Sequence, residues 1–150
     1  ELDPVLIQQV LVNLLKNSLD SLREVYPLSS RWSAPPVRIS ADLETSTFPS
    51  MLRIQVTDAG AGIAESVIAR MFEPFFSTKE DGMGMGLNIC RSIIESHHGR
   101  LWAKNHMDTE HTRLVGCTFT ILLPLESRQI SKSSIGNTDE SKQSTENNPS

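Results

Sequence analysis

The chain has 150 residues, of which 38% are hydrophobic, and a formal net charge of -4. This length fits one domain with a tail, the hydrophobic content is sufficient for a buried core, and the mildly acidic balance argues against a nucleic-acid-binding surface. No apolar run reaches the roughly 20 residues of a membrane span, and the opening ELDPVLIQQ does not resemble a signal peptide. We therefore predict a soluble, cytoplasmic domain without direct membrane contact, whose parent protein can still carry a membrane anchor.

A long amphipathic helix is predicted at the start of the chain. Asp3 and Pro4 form a cap and first-turn pair, and apolar residues then recur at helical spacing until the pattern ends near Pro27. Asn13 and Asn17 are four residues apart, so both project from one face of this helix.

Four strands and two further helices are predicted downstream. Alternation of apolar and polar residues predicts strands at 37–43, 52–58, 100–105 and 117–125. Helical spacing predicts a short helix over 63–71 and a longer one over 86–98. Cys90 and Cys117 lie inside these apolar segments, which favours buried thiols over a disulfide or metal ligands. Helices and a mixed or antiparallel sheet around one core give a two-layer α/β sandwich.

The composition changes at residue 126. Residues 126–150 contain no aromatic residue and two large aliphatic ones, so they cannot bury enough apolar surface to offset the entropy of ordering. We predict a domain over residues 1–125 and a disordered tail or linker over 126–150.

The first glycine cluster follows a predicted strand that ends at Asp58. Gly60 and Gly62 let the backbone approach a flat ligand, and the carboxylate can accept a hydrogen bond from an exocyclic amine. A plain Asp-Ala-Gly turn is the alternative. The chain has no Gly-Lys dipeptide, which excludes a Walker-type loop, and its glycine spacing differs from the dinucleotide fingerprint.

The second cluster, Gly82, Gly84 and Gly86, precedes a predicted helix. Backbone amides at a helix N-terminus can hold phosphate oxygens, although a simple hinge is the alternative. The amide oxygens of Asn13 and Asn17 suit Mg²⁺ when phosphates complete its coordination, although both could be surface or helix-contact residues. Together these features predict a nucleotide site.

Four segments carry a family resemblance. NLLKNSLDS, DAGAGI, MFEPFFSTK and GMGMGL stand in the order of the asparagine box, first glycine box, phenylalanine box and second glycine box of sensor histidine kinases. Over residues 3–125 the chain resembles the catalytic ATP-binding domain of these bacterial kinases, from the superfamily shared with gyrase, MutL and the ninety-kilodalton heat-shock chaperone. The compact segment between the last two boxes most resembles the short-lid branch of nitrogen-regulation and oxygen-sensing kinases. The resemblance implies a Bergerat-type fold with a mixed sheet packed against helices.

The resemblance also implies a role for each matched residue. Asn17 would coordinate the Mg²⁺ that bridges the phosphates of ATP, and Asn13 would support the metal or the phosphates. Asp58 would accept a hydrogen bond from the adenine amino group, and Lys79 would reach a phosphate. The other implied nucleotide contacts are Gly60, Gly62, Ile63, Gly82, Gly84, Gly86, Leu87 and Thr118, the last beside the acid. Phe72, Phe75 and Phe76 would anchor the lid in a core or hinge role.

The function implied by the resemblance is transfer of the γ-phosphoryl group of ATP to a histidine on a dimerisation module of the same protein, with a response regulator downstream. Hydrolysing relatives carry a glutamate general base where this chain has Asn13, which cannot take a proton. We therefore expect ATP to be held without efficient hydrolysis. No histidine precedes Asn13, and the four histidines present are predicted to be structural or exposed. The chain is thus expected to be a fragment that cannot phosphorylate itself.

Three alternatives stay open. The domain could be an ATPase of the gyrase or chaperone class, although Asn13 argues against it. It could be a regulatory module that works by contact with a partner, although the intact set of Asn17, Asp58 and glycines argues against lost nucleotide binding. A serine-kinase anti-sigma factor shares the fold, but such proteins do not begin inside it as this chain is expected to do.

Overall fold

The computed structural model describes residues 2–27, 36–46, 48–78 and 85–125. Its first element is a 22-residue helix, α1 (Pro4–Val25). The Asp3 carboxylate caps this helix by accepting hydrogen bonds from the amides of Val5 and Leu6, at 2.9 and 3.2 Å. The buried stripe of α1 repeats every four residues and consists of Val10, Leu14, Ser18 and Leu22. The predicted helix is confirmed at both ends.

The sheet has four strands in the order β1-β2-β4-β3. They are β1 (Val37–Glu44), β2 (Met51–Asp58), β3 (Arg100–Met107) and β4 (Leu114–Pro124). Each of the three strand pairings is antiparallel, so the described strands do not form the mixed sheet that the resemblance implied. The β2–β4 register places Asp58 opposite Cys117.

Two shorter helices complete the described elements: α2 (Glu65–Ile68) and α3 (Gly86–Ser96). The prediction of a helix over 63–71 was too long. Beyond Ile68 the chain continues in tight turns, such as the bond from the Arg70 amide to the Val67 carbonyl, and Pro74 then disfavours helical geometry. α3 ends two residues before the predicted boundary because His98 adopts a left-handed conformation, with φ of 59°.

All three helices lie on one side of the sheet, which confirms the two-layer α/β sandwich. The core between the layers contains α1, α3 and the inward residues of β2 and β4, including the fully buried Leu14, Ile94 and Ile121. Cys90 and Cys117 are buried free thiols, as predicted. The predicted tail, 126–150, lies outside the described residues.

Candidate nucleotide site

A cleft opens between α1, the loop that follows β2, and the start of α3. It consists of two adjoining cavities of about 250 and 470 Å³, and both are lined by Asn17, Met71 and Leu87. The smaller cavity lies at the end of β2 and the larger one lies beside the start of α3. The two cavities differ in their lining residues, so the cleft presents different chemistry in its two parts.

Asp58 occupies the wall of the smaller cavity. Its side chain is only 5% exposed, and one carboxylate oxygen, Oδ1, accepts a hydrogen bond from the Gly60 amide at 2.9 Å. No other hydrogen bond to this carboxylate comes from the described parts of the chain. A buried acceptor that faces a cavity suits a ligand with a hydrogen-bond donor on a flat ring.

Cys117 lies opposite Asp58 across the β2–β4 pair and lines the same cavity. Burial, together with the negative charge of Asp58, raises the pKa of the Cys117 thiol to about 12. The group beside the acid is thus a small, neutral thiol at physiological pH.

The loop after β2 is held close to α1 and β3. The Ala61 amide donates to Ser21 Oγ at 3.0 Å, and a Cβ at residue 60 would collide with the same oxygen, so only glycine allows this approach. Gly62 has a left-handed φ of 74°. On the far side, the Asn105 side chain bonds both backbone groups of Ile63.

The larger cavity carries the asparagines of α1. Asn17 Nδ2 donates to Asn13 Oδ1 at 3.3 Å, so the two side chains are neighbours on one face as predicted. A Cβ at Gly86 would lie 2.8 Å from Asn13 Nδ2, which shows how closely the start of α3 approaches them. Met85, the N-cap residue of α3, makes no side-chain hydrogen bond to the amides of the first turn, and Lys16 adds a positive charge to the lining. These are the features of an anion-binding end.

The structure brings most of the predicted residues together. Those that line the cleft are Asn13, Asn17, Asp58, Gly62, Ile63, Gly86 and Leu87, and Gly60 lies directly behind its wall. Lys79, Gly82 and Gly84 lie outside the described residues.

Thr118 does not lie where the resemblance placed it. Because successive strand residues face opposite sides of a sheet, the Asp58–Cys117 pairing turns Thr118 to the other face. There its hydroxyl bonds Thr57 at 2.8 Å and His106 Nε2 at 2.6 Å. The residue beside the acid is Cys117, and the prediction for Thr118 is corrected accordingly.

The three phenylalanines have different environments. Phe72 packs against the core and Phe76 lines the larger cavity. Phe75 is 79% exposed, so of the two roles predicted for it the core role does not apply, and the hinge role stays a prediction.

Sequence reasoning overlooked Ser21, Asn105 and Cys117. Ser21 could have been found, since it extends the four-residue spacing of Asn13 and Asn17 along the same helix face. The other two depend on strand register and on a contact between distant segments, which local patterns do not contain.

The donor set fits a magnesium ion that shares its coordination with a ligand. In the described ranges no group of three or more His, Cys, Asp or Glu could hold a metal ion. The larger cavity instead offers amide oxygens from Asn13 and Asn17 and the carboxylate of Asp20. Mg²⁺ prefers such oxygen ligands and usually completes its shell with phosphates and water.

The fold and the cleft define a nucleotide-binding domain of the α/β sandwich class. The family described as "Histidine kinase-, DNA gyrase B-, and HSP90-like ATPase" matches residues 2–127, and the chain belongs to this family.

The relatives that the chain resembles are sensor proteins. It is 40% identical over 124 residues to the C4-dicarboxylate transport sensor protein DctS of Rhodobacter capsulatus. The matched region covers 82% of this chain and 16% of DctS. It is also 40% identical over 122 residues to the sensor protein FixL of Bradyrhizobium diazoefficiens. This match covers 81% of this chain and 21% of FixL. The chain thus spans about a sixth to a fifth of the length of these relatives.

A solved structure agrees with both the family and the fold. The nucleotide-free catalytic domain of histidine kinase ThkA is 31% identical, with a TM-score of 0.57, over 83% of this chain and 69% of that one. In the part of the chain that the structure describes, no helix is both long and apolar enough to cross a membrane.

Proposed function

We propose that this domain binds Mg-ATP and donates its γ-phosphoryl group to a histidine on a separate dimerisation module of the same protein. The observation that carries the proposal is one cleft that holds a buried acceptor, Asp58, in its smaller cavity and an asparagine pair, Asn13 and Asn17, in its larger one, with Asn17 lining both. A response regulator would receive the phosphoryl group next, as expected for two-component signalling in the cytoplasm.

The base end of the cleft supports adenine. The Asp58 carboxylate can accept from an exocyclic amino group, while Ile63 and Phe119 supply apolar surface for a ring. Because Oδ1 is already oriented by the Gly60 amide, the acid is held in place before the ligand arrives.

The phosphate end supports a magnesium-bound triphosphate. Bound Mg²⁺ would neutralise charge on the phosphates and orient the γ-phosphoryl group. Asn17 would hold the ion through its amide oxygen, while Asn13 buttresses Asn17 and the start of α3. The first-turn amides of α3 and the Lys16 ammonium would attract phosphate oxygens. Lys79, Gly82 and Gly84 stay predicted contributors from the second glycine cluster.

Asn13 favours transfer over hydrolysis. An amide at this position cannot accept a proton from water, so it cannot serve as the general base that a hydrolase needs. The γ-phosphoryl group is thereby retained for an acceptor histidine. Steady ATP turnover by the isolated domain would instead favour an ATPase of the gyrase or chaperone class.

Calorimetric titration tests this proposal directly. The chain is titrated with ADP and with a non-hydrolysable ATP analogue, with and without Mg²⁺. We expect binding that improves with Mg²⁺. Asp58→Asn should lower the affinity for both ligands by about a hundredfold, because the buried carboxylate, which only accepts hydrogen bonds, is replaced by an amide that also donates them. Asn17→Ala should chiefly remove the Mg²⁺ dependence. If a well-folded chain binds neither ligand, a role limited to partner contact gains support.

A further inference from the structure

We propose that Asn105 is a positioning residue for adenine recognition, because it holds the loop that forms the base end of the cleft. This inference rests on the proposed nucleotide-binding function. Asn105 lies on β3, outside the lining of both cavities, so it would act on the ligand only through the loop.

Asn105 forms a two-point clamp on the backbone of Ile63. The Ile63 amide donates to Asn105 Oδ1 at 2.9 Å, and Asn105 Nδ2 donates to the Ile63 carbonyl at 2.6 Å. The two residues are 42 positions apart in the chain. A side-chain amide thus satisfies both backbone groups of one residue, as a neighbouring strand would do.

The loop depends on side chains for its backbone hydrogen bonds. The amide of Gly60 donates to Asp58, that of Ala61 to Ser21, and that of Ile63 to Asn105. Among the described residues, no backbone-to-backbone bond involves residues 60–63. Loops without backbone-to-backbone hydrogen bonds open at low free-energy cost. Each of these side-chain hydrogen bonds is therefore important for keeping the loop ordered.

The clamp fixes the two parts of the base end that a ring would contact. Ile63 lines the smaller cavity, and its backbone position sets where its side chain meets the ligand. Gly60, three residues earlier, orients the Asp58 carboxylate through the 2.9 Å bond. Release of Ile63 would therefore loosen both the apolar contact and the acceptor. Gly62 lies between them, and a Cβ added at this position would lie 3.2 Å from Asn105 Oδ1, which shows how closely the loop approaches Asn105.

The preference of the chain for one base over another distinguishes a positioning role of Asn105 from a role in general stability. Adenosine diphosphate carries the exocyclic amine that Asp58 would accept from, whereas inosine diphosphate carries a carbonyl oxygen there. Affinities for both are measured by calorimetry for the full chain and for two variants: Asn105→Ala, which removes the clamp, and Asn105→Leu, which keeps the branched shape without hydrogen-bonding groups. Ser96→Ala, which removes an exposed hydrogen bond to the Ile93 carbonyl far from the cleft, is the control.

We expect both Asn105 variants to bind ADP about tenfold more weakly, the effect of losing one or two hydrogen bonds that order the site. Their preference for ADP over inosine diphosphate should fall by at least about threefold. The control should match the parent chain. A folded Asn105 variant with the parental selectivity would overturn the inference, because a purely structural loss lowers the folded fraction without changing selectivity.

Amide hydrogen exchange of the unmodified chain gives a test that does not depend on variant folding. The comparison is with the amide of Ser66, an exposed residue in the first turn of α2, whose N-cap residue, Ala64, makes no side-chain cap hydrogen bond. The Ile63 amide should exchange at least about tenfold more slowly than that of Ser66, since it is donated to Asn105. Equal rates would contradict the clamp.

The proposed function and the inference can fail separately. If the parent chain fails to bind ADP at all, the proposed function falls and the inference with it. If the parent binds and selectivity is unchanged in the variants, only the inference falls.

Discussion

The hydroxyl of Ser18 is expected to destabilise the fold. Ser18 lies in the buried stripe of α1 with no exposed surface, and its Oγ has no hydrogen-bond partner in the described structure. A buried unpaired polar group costs about 1 to 3 kcal/mol, and alanine is also the better helix former.

We expect Ser18→Ala to raise the free energy of unfolding by about 1 kcal/mol without changing ADP affinity. Urea denaturation measures the first effect and calorimetry the second. The matched control is Ser96→Ala, whose hydroxyl is exposed and already bonded to the Ile93 carbonyl at 2.7 Å. A loss of stability in Ser18→Ala would show that the hydroxyl has a partner.

Among the described residues, the Cys117 thiol has the largest expected effect on how the unfolding free energy changes with pH. Burial, and secondarily the Asp58 carboxylate, raise its pKa from an ordinary value of 9.0 to about 12. The folded chain keeps the thiol protonated, whereas the unfolded chain ionises it above pH 9. The contribution of the thiol to stability is therefore fully present below pH 9 and is lost as the pH rises toward 12.

The consequence can be measured between pH 8 and pH 10. Over this interval the parent chain should lose about 1 kcal/mol more unfolding free energy than Cys117→Ala, which has no thiol to ionise at this position. Urea denaturation at the two pH values gives the difference. Equal losses in both proteins would mean that the folded thiol ionises normally.

At the scale of secondary structure, α1 combines packing on the sheet with the proposed contact to the ligand. One face packs on the sheet through residues such as Val10 and Leu14, and another carries Asn13, Asn17 and Ser21 into the cleft. Its first turn is also tied to α3, since the Asp3 amide donates to His97 Nε2 at 3.1 Å. The first turn thus anchors the start of α1, and Asn13 and Asn17 lie further along the helix.

Removal of the helix cap separates these two functions. Asp3→Ala leaves the amides of Val5 and Leu6 without their acceptor and should lower the unfolding free energy by about 1 kcal/mol. Asn13 lies more than two turns away, so ADP affinity should stay within about twofold. Urea denaturation and calorimetry on the same sample compare the two. A large loss of affinity would show that fraying of the first turn reaches the asparagines.

Elements with a clear period could be predicted from the sequence, and those shaped by tertiary contacts could not. Helical spacing predicted α1 correctly because the buried stripe of this helix is continuous. Alternation predicted β2 correctly because every second residue from Ile54 to Asp58 is buried. The end of α2 was missed because tight turns before Pro74, rather than apolar periodicity, decide it. Thr118 was misplaced because alternation does not say which of two neighbours faces Asp58 until the register is known.

At the scale of the whole molecule, the candidate site is the junction of three segments that are distant in sequence. α1 supplies the asparagines, the loop after β2 supplies the acid and its wall, and the start of α3 supplies the proposed phosphate end. Residue types and motif order pointed to these three parts. The clamp by Asn105 could not be predicted, because it joins a loop to an edge strand through one side chain.

Since the cleft is built from separate parts of the fold, a bound nucleotide should hold those parts together and stabilise the entire domain. A ligand that binds only the folded state at a hundred times its dissociation constant adds about 2.7 kcal/mol to the unfolding free energy. We expect Mg-ADP at that ratio to raise the melting temperature of the chain by about 5 to 10 °C in a thermal-shift measurement. Asp58→Asn at the same ligand concentration should show a shift of about 2 °C or less, while Ser96→Ala should keep the full shift. An equal shift in the Asp58 variant would place the nucleotide away from the base end of this cleft.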